Sequence, residues 1–181
     1  MVCAREDDAR RVFDVLPKRL GRFGLHLHPD KTRIVRLERT SGGDGKRPET
    51  FDFLGLTHLW GKSRRGAPIV QRKTARSRMR RSLRRIWLWC REHRHDPLRE
   101  QQAALAAKLR GHFGYFGITG NVRALGFFRD GVLRAWRAWL NRRGGRKRMM
   151  WERFWRLLEH YPLPPARVVR SIYRPNANPS A

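Results

Sequence analysis

The segment Gln71-Arg-Lys-Thr-Ala-Arg-Ser-Arg-Met-Arg-Arg-Ser-Leu-Arg-Arg-Ile-Trp-Leu-Trp-Cys90 sets the reading of the chain. From Arg72 onward its period is helical. Met79, Leu83, Ile86, Trp87 and Cys90 recur at steps of four, three, one and three, forming one apolar stripe, while Arg78, Arg81, Arg84 and Arg85 fall mostly on the opposite side. Leu88 and Trp89 lie off the stripe, so the helix should meet apolar neighbours on a second face. Between positions 62 and 94 the chain has thirteen Lys or Arg residues and one acid, Glu92. Acids at i+4 are lacking, and like charges so spaced destabilise a helix. A merely solvated face explains this run poorly. Phosphate explains it better, and Arg interleaved with aromatic rings suits a polyanion that also offers base faces. Lys62, Arg64, Arg65, Arg72, Lys73, Arg76, Arg80, Arg81, Arg84, Arg85 and Arg110 are the candidate contacts.

The charge is unevenly spread. The 181 residues carry a formal +27, with 12 basic and 9 acidic groups in residues 1–52 but 30 and 6 in residues 53–181. The second part is therefore a cationic module. Arg outnumbers Lys, of which there are seven. Arg gives bidentate phosphate contacts that Lys cannot, although a GC-rich coding sequence gives the same bias. Cys3 and Cys90 are too few for a disulfide framework and fit a reducing compartment. No apolar run approaches the length of a membrane span, and the N-terminus turns acidic at Glu6 without a signal-like apolar region. The expectation is a cytoplasmic protein with no membrane partner.

Along the chain, residues 5–23 read as a helix with Glu6, Asp7 and Asp8 in its first turn, a kink at Pro17 and a stop at Gly24. Residues 32–37 read as a strand, 41–48 as a flexible loop, 51–60 as a second strand, 61–66 as a basic turn and 67–71 as a third strand completing a hairpin. After the first arginine-rich helix, Asp96-Pro97 opens another, with Asp as N-cap and Pro at the first position. A third runs from 121 to about 143 and a fourth from 149 to 160, before a proline-rich stop at 161–165. The fold class expected is α+β. A small helix-and-strand part occupies residues 1–71, a helical bundle 72–165, and a C-terminal tail 166–181.

Four further patterns invite chemistry. Asp7-Asp8 could be a catalytic pair, but its place at a helix start is better explained by compensation of the helix dipole. Cys90, His93, His95 and His112 have ligand-like spacing, yet Cys90 falls on the apolar stripe, and no metal site is expected. Gly111, Gly114, Gly117 and Gly120 recur every third residue. They lack the context of a phosphate loop and indicate close approach of another helix or of an RNA backbone. Among the tryptophans, Trp87, Trp136 and Trp155 read as core, and Trp60 and Trp89 as candidates for stacking or partner contact.

Three segments in order carry a resemblance. They are Gly24-Leu-His-Leu-His-Pro-Asp-Lys-Thr32, Phe51-Asp-Phe-Leu-Gly-Leu-Thr57 and Leu109-Arg-Gly-His-Phe-Gly-Tyr-Phe-Gly-Ile-Thr-Gly-Asn121, followed by Trp151-Glu-Arg-Phe154 and Tyr161-Pro-Leu-Pro-Pro165. Together they resemble the C-terminal part of group II intron-encoded reverse transcriptases, the maturases, over residues 2 to about 174. The resemblance implies that residues 1–71 are the end of a palm, with Phe53, Leu54 and Gly55 in a primer-grip-like hairpin. It implies that Lys31 is the palm motif lysine, placed near a leaving pyrophosphate in an intact enzyme. The helices would be the thumb, or X, domain that grips intron RNA and the template–primer duplex.

The polymerase's Tyr-x-Asp-Asp motif, the fingers and the rest of the palm have no counterpart in the sequence, nor has the zinc-dependent nuclease of some relatives. Two-metal nucleotidyl transfer needs carboxylates to hold its ions. The expectation is thus a truncated maturase that binds structured RNA and RNA–DNA template–primer. It would have no catalytic residues and no cofactor of its own, Mg²⁺ being expected only for the intact polymerase. Two alternatives stand beside it. One is part of an active RNA-directed DNA polymerase whose missing half is supplied by the true upstream start or by a second chain, a separate upstream palm and fingers fragment. The other is a decayed fragment without function.

Overall fold

A computed structural model describes residues 3, 5–35, 50–63, 65–143 and 148–171, apart from the side chain of Lys31. Among the described residues, five α-helices and a three-stranded antiparallel sheet make the fold α+β. The chain forms two compact units. One comprises Met1–Phe51 with Leu59–Ile69, the other Asp52–His58 with Val70–Ala181.

In the first unit, helix α1 spans Glu6–Gly21. Glu6, Asp7 and Asp8 occupy its first turn, and Lys18 and Arg19 its last, the arrangement the helix dipole favours. Pro17 lies within it, and none of its residues is buried. A 3-10 turn follows at Pro29–Lys31. The strand expected at 32–37 is absent from its described part. Thr32 is extended (φ −101°, ψ 114°), but residues 32–35 find no ladder partner among the described residues. Positions 36–37 and the loop expected at 41–48 lie outside the described residues.

The sheet is a meander in the order β1 (Thr50–Phe53), β2 (Leu56–Lys62) and β3 (Pro68–Thr74). The single strand expected at 51–60 is therefore two. A two-residue loop, Leu54-Gly55, divides it, with φ of 50° and 76°. Positive φ at both central positions is the twist-matched way to join antiparallel strands with two residues. Leucine is a poor signal for such a turn, which is why the sequence reads as one strand. The strand expected at 67–71 continues to Thr74. Arg72 and Lys73 thus stand on a strand and not on the helix that follows.

The second unit is built on α2 (Arg76–Glu92), α3 (Leu98–Phe116), α4 (Val122–Leu140) and α5 (Trp151–His160). Met79, Ile86 and Cys90 from α2 enter one core with Leu105, Leu109 and Phe113 from α3. From α4 come Leu125, Phe128, Val132 and Trp136, and from α5 Phe154. Each such apolar side chain stabilises the bundle by about 1.5–3 kcal/mol. α4 packs on both α2 and α3. It meets α2 at Gly131, where an added Cβ would stand 2.5 Å from Leu83 Cδ2, so the close approach depends on a missing side chain.

Two buried amides fix the ends of the bundle. Asn121, 1% exposed, accepts from the Thr74 backbone N–H at 3.0 Å. Its own amide donates to Thr74 Oγ1 at 2.8 Å and to the Phe116 carbonyl at 2.9 Å. Gln101 accepts from Trp136 Nε1 at 2.8 Å and donates to the Asp96 carbonyl at 2.8 Å. The contacts Thr74–Asn121, Leu83–Gly131 and Trp87–Trp139 advance together, so α2 and α4 run in the same sense.

Three expectations need correction here. Asp96 does not cap α3 with its side chain; Pro97 is the N-cap residue, and Asp96 contributes its carbonyl to Gln101 and to Arg143 Nη2 at 2.5 Å. Gly111 and Gly114 do not mark a close approach, because α3 runs on to Phe116 through both and neither faces a close neighbour. Close approach does occur at Gly117, but to the chain's own backbone: an added Cβ would run into the Phe113 carbonyl in the last turn of α3 and into the returning chain. The chain returns past it in extended form, with the backbone N–H groups of Val169 and Arg170 both donating to the Gly117 carbonyl at 2.7 and 2.8 Å. A Cβ there would meet Arg167 O and Val169 N at 3.1 Å. The prolines after α5 are tied back by Gln102 to the Pro162 carbonyl at 2.7 Å and by Arg129 to the Pro164 carbonyl at 3.1 Å.

Candidate nucleic-acid interface

At 3.6 residues per turn, the buried Met79, Ile86 and Cys90 and the half-buried Leu83 define the inner side of α2. Arg76, Arg80, Arg81, Arg84 and Arg85 are all exposed, with Arg81 opposite the core, Arg80, Arg84 and Arg85 to either side of it, and Arg76 nearer the core stripe. The ion pairs among the described residues join Arg5 to Asp7 at 3.6 Å and Arg10 to Glu6 at 2.7 Å, both on the first unit. None involves α2. Like-charge neighbours at i+4, such as Arg76 with Arg80, Arg80 with Arg84 and Arg81 with Arg85, each cost about 0.2–0.5 kcal/mol. The helix tolerates them because its other side is anchored in the core.

The remaining basic candidates are placed as follows. Lys73 is exposed and Arg72 half-buried on β3, within the same unit as α2. Arg110 is exposed on α3. Lys62, exposed at the end of β2, and Arg65, exposed in the next turn, belong to the first unit. Arg64 and the side chain of Lys31 lie outside the described residues, Lys31 contributing backbone to the 3-10 turn.

The Phe53-Leu54-Gly55 turn presents apolar groups, Phe53 being 58% and Leu54 65% exposed. It is anchored from both neighbouring helices. The Ala75 N–H, at the start of α2, donates to the Gly55 carbonyl at 2.9 Å. Tyr115 of α3 donates its hydroxyl to the Leu54 carbonyl at 3.0 Å. The stem of Arg78 packs over Gly55, where a Cβ would come within 3.1 Å of Arg78 Cγ. Leu54 occupies a left-handed conformation that costs a non-glycine residue about 1–2 kcal/mol. Strain of this kind persists where its surroundings hold it.

The tryptophans sort differently from expectation. Trp136 is buried, as expected, but Trp87 is 39% and Trp155 49% exposed. Trp89, expected to be available, is already engaged. It stacks on His93 with centroids 4.4 Å apart, and Lys108 Nζ lies 5.1 Å from its ring. Of the two residues off the stripe, only Trp89 thus meets α3, while Leu88 is 39% exposed, so the second apolar face expected of α2 is not covered as a whole. Trp60, half-buried on β2, belongs to the first unit.

The residues with ligand-like spacing have separate surroundings. Cys90 is 2% exposed in the core, where burial pushes its thiol pKa up to about 12. His93 Nδ1 lies 2.9 Å from the Trp89 carbonyl. His112 stacks on Phe128 at 3.6 Å, and burial lowers its pKa from 6.5 to about 4. His95 is exposed, and Asp7 and Asp8 stand exposed in the first turn of α1. Tyr115, Asn121 and Arg142 are the residues that sequence reasoning passed over. A polar residue between helices signals Asn121 weakly, and nothing local signals the other two.

Compared with models of protein families, with curated proteins and with solved structures, the chain finds no match. No helix among the described residues is long and apolar enough to cross a membrane.

Proposed function

We propose that this chain binds structured RNA through α2, as the end of a palm and the helical thumb of a group II intron maturase, and does not polymerise alone. One observation carries the reading. Four exposed arginines, Arg80, Arg81, Arg84 and Arg85, lie on the outer side of a helix whose first turn adds the exposed Arg76 and which has no ion pair among the described residues, on a chain of net charge +27. Phosphates satisfy such a surface by displacing counterions. In this reading Phe53, Leu54 and Gly55 form the primer-grip-like turn, and residues 72–165 the thumb. Mg²⁺ enters only with an intact polymerase.

The test is fluorescence anisotropy of a labelled structured RNA across salt concentrations. Five phosphate contacts give a slope of log affinity against log salt of about −4.5. Replacing Arg81, Arg84 and Arg85 with Gln should flatten it by up to about 2.7. A slope near zero for the unaltered chain refutes the reading.

The second reading, a polymerase completed by a separate palm and fingers segment, is favoured by the first unit. None of the α1 residues is buried, and Phe23 and Leu25 are 75% and 56% exposed. Primer extension on an RNA template, with and without such a segment, distinguishes the two. Extension by the chain alone contradicts both.

A further inference from the structure

Two exposed tryptophans of the second unit differ in their surroundings. On α5, Trp155 stacks against Trp151 (centroids 5.7 Å, 25°), and Arg137 lies 4.1 Å from the Trp151 ring on a carbonyl-anchored side chain. The helix neighbours of Trp155 three residues before and four after are Glu152 and Glu159, both exposed carboxylates. On α2, the same two positions around Trp87 are Arg84 and Arg91, both exposed. Trp87 also meets Trp139 of α4 edge-on, with centroids 5.3 Å apart. The Arg142 guanidinium lies 4.7 Å from the Trp139 ring and 5.9 Å from the Trp87 ring.

We infer that Trp87, edge-braced by Trp139 and overhung by Arg142, is a stacking site for one unpaired nucleobase of the bound RNA. This rests on the RNA-binding reading and adds to it a preference for an unpaired nucleotide. Three features combine. The indole is held against a second indole, so stacking on it costs little side-chain freedom. It is exposed along a flank of α2 that also carries Arg80, Arg84 and Arg91. A planar cation already shares the space above the ring pair, so Arg142 can hold the base from the other side or follow its phosphate. Fully paired RNA keeps its bases inside the helix and cannot use the site, whereas loops, bulges and single-stranded ends can. Carboxylates beside Trp155 repel phosphate, so the other exposed indole is not equivalent.

The experiment compares two labelled RNAs of equal length, a blunt duplex and a hairpin with a large unpaired loop, against the full chain. Trp87→Leu should weaken hairpin binding about tenfold, or about 1.4 kcal/mol, and leave duplex binding within twofold. Trp87→Phe should retain most hairpin affinity, and Trp155→Leu should change neither. Photocrosslinking of the unaltered chain to a hairpin with 5-bromouridine in its loop gives a readout that needs no variant, and the crosslink should map to Trp87 or Trp139. Equal losses for both RNAs, no loss for either, or crosslinks confined to other peptides overturn the stacking site while leaving RNA binding standing. Failure of the unaltered chain to bind either RNA overturns the binding reading and the stacking site with it.

Discussion

Replacing Gly131 with Ala tests whether the contact between α2 and α4 is as close as it must be to set the outward arginines and the Trp87–Trp139 pair. A Cβ there would stand 2.5, 3.2 and 3.4 Å from Leu83 Cδ2, Cδ1 and Cγ. Ordinary carbon contacts begin near 3.5 Å, so about 1 Å of overlap must be absorbed by Leu83 turning or by the helices parting. Overpacking of this kind costs about 1–3 kcal/mol. The exchange also gains about 1 kcal/mol of helix propensity, leaving a net loss of about 1 kcal/mol. Gly126, on the same helix, is the internal control, because a Cβ there meets nothing within 4 Å. Gly126→Ala should therefore stabilise by close to the full propensity gain, and the two variants should differ by about 2 kcal/mol. Urea unfolding followed by far-ultraviolet circular dichroism measures both. The melting temperature of Gly131→Ala should fall by about 2–4 °C. In a Leu83→Ala background the clash is gone, and Gly131→Ala should turn stabilising, a coupling of at least about 1 kcal/mol. If Gly131→Ala stabilises as much as Gly126→Ala, the helices are not packed through Leu83 as described.

Three other outcomes are expected. Asn121→Ala strips the partner from the buried Thr74 N–H and removes one of two donors to the Phe116 carbonyl, which keeps the Ile118 N–H, and should cost about 2 kcal/mol in the same unfolding assay. Leu54→Asn places a residue tolerant of positive φ in the hairpin turn and should stabilise by about 1 kcal/mol, where a Leu54→Val change should destabilise. The folded His112 stays neutral down to about pH 4 while the unfolded one takes up a proton near 6.5. Stability from this site is thus complete above pH 6.5 and is lost as pH falls from 6.5 toward 4. His112→Phe, which keeps a ring against Phe128, should flatten that part of the pH–stability curve.

The helical part of this fold is legible in the sequence because apolar residues three and four apart leave few alternatives. The stripe through Met79, Leu83, Ile86 and Cys90 and that through Leu125, Phe128, Val132 and Trp136 both face the core. The sheet is less legible. A Leu-Gly turn carries no polar signal, and its two positive φ values are held from outside by Tyr115 and Ala75. Glycines misled in α3, where Gly111 and Gly114 sit inside a helix long enough to absorb them. The candidate interface divides in the same way. Charge marks the arginines of α2 directly, since exposure follows from the stripe opposite them. Which tryptophan remains open depends on where α3 and α4 pack against α2, so Trp87 and Trp89 exchange the roles that their positions along α2 suggest.

The crowded cations of α2 make salt act in two opposed directions. In the free chain, small ions screen the repulsion between arginines one turn apart, so moderate salt should raise the melting temperature. The same ions compete for the sites that phosphates would fill, so they should loosen the complex over the same range. Purified protein would then be most robust in a buffer where it binds least. A multivalent anion such as pyrophosphate should escape the conflict for the fold but not for the complex, neutralising on one helix the charges that a bound polyanion would neutralise.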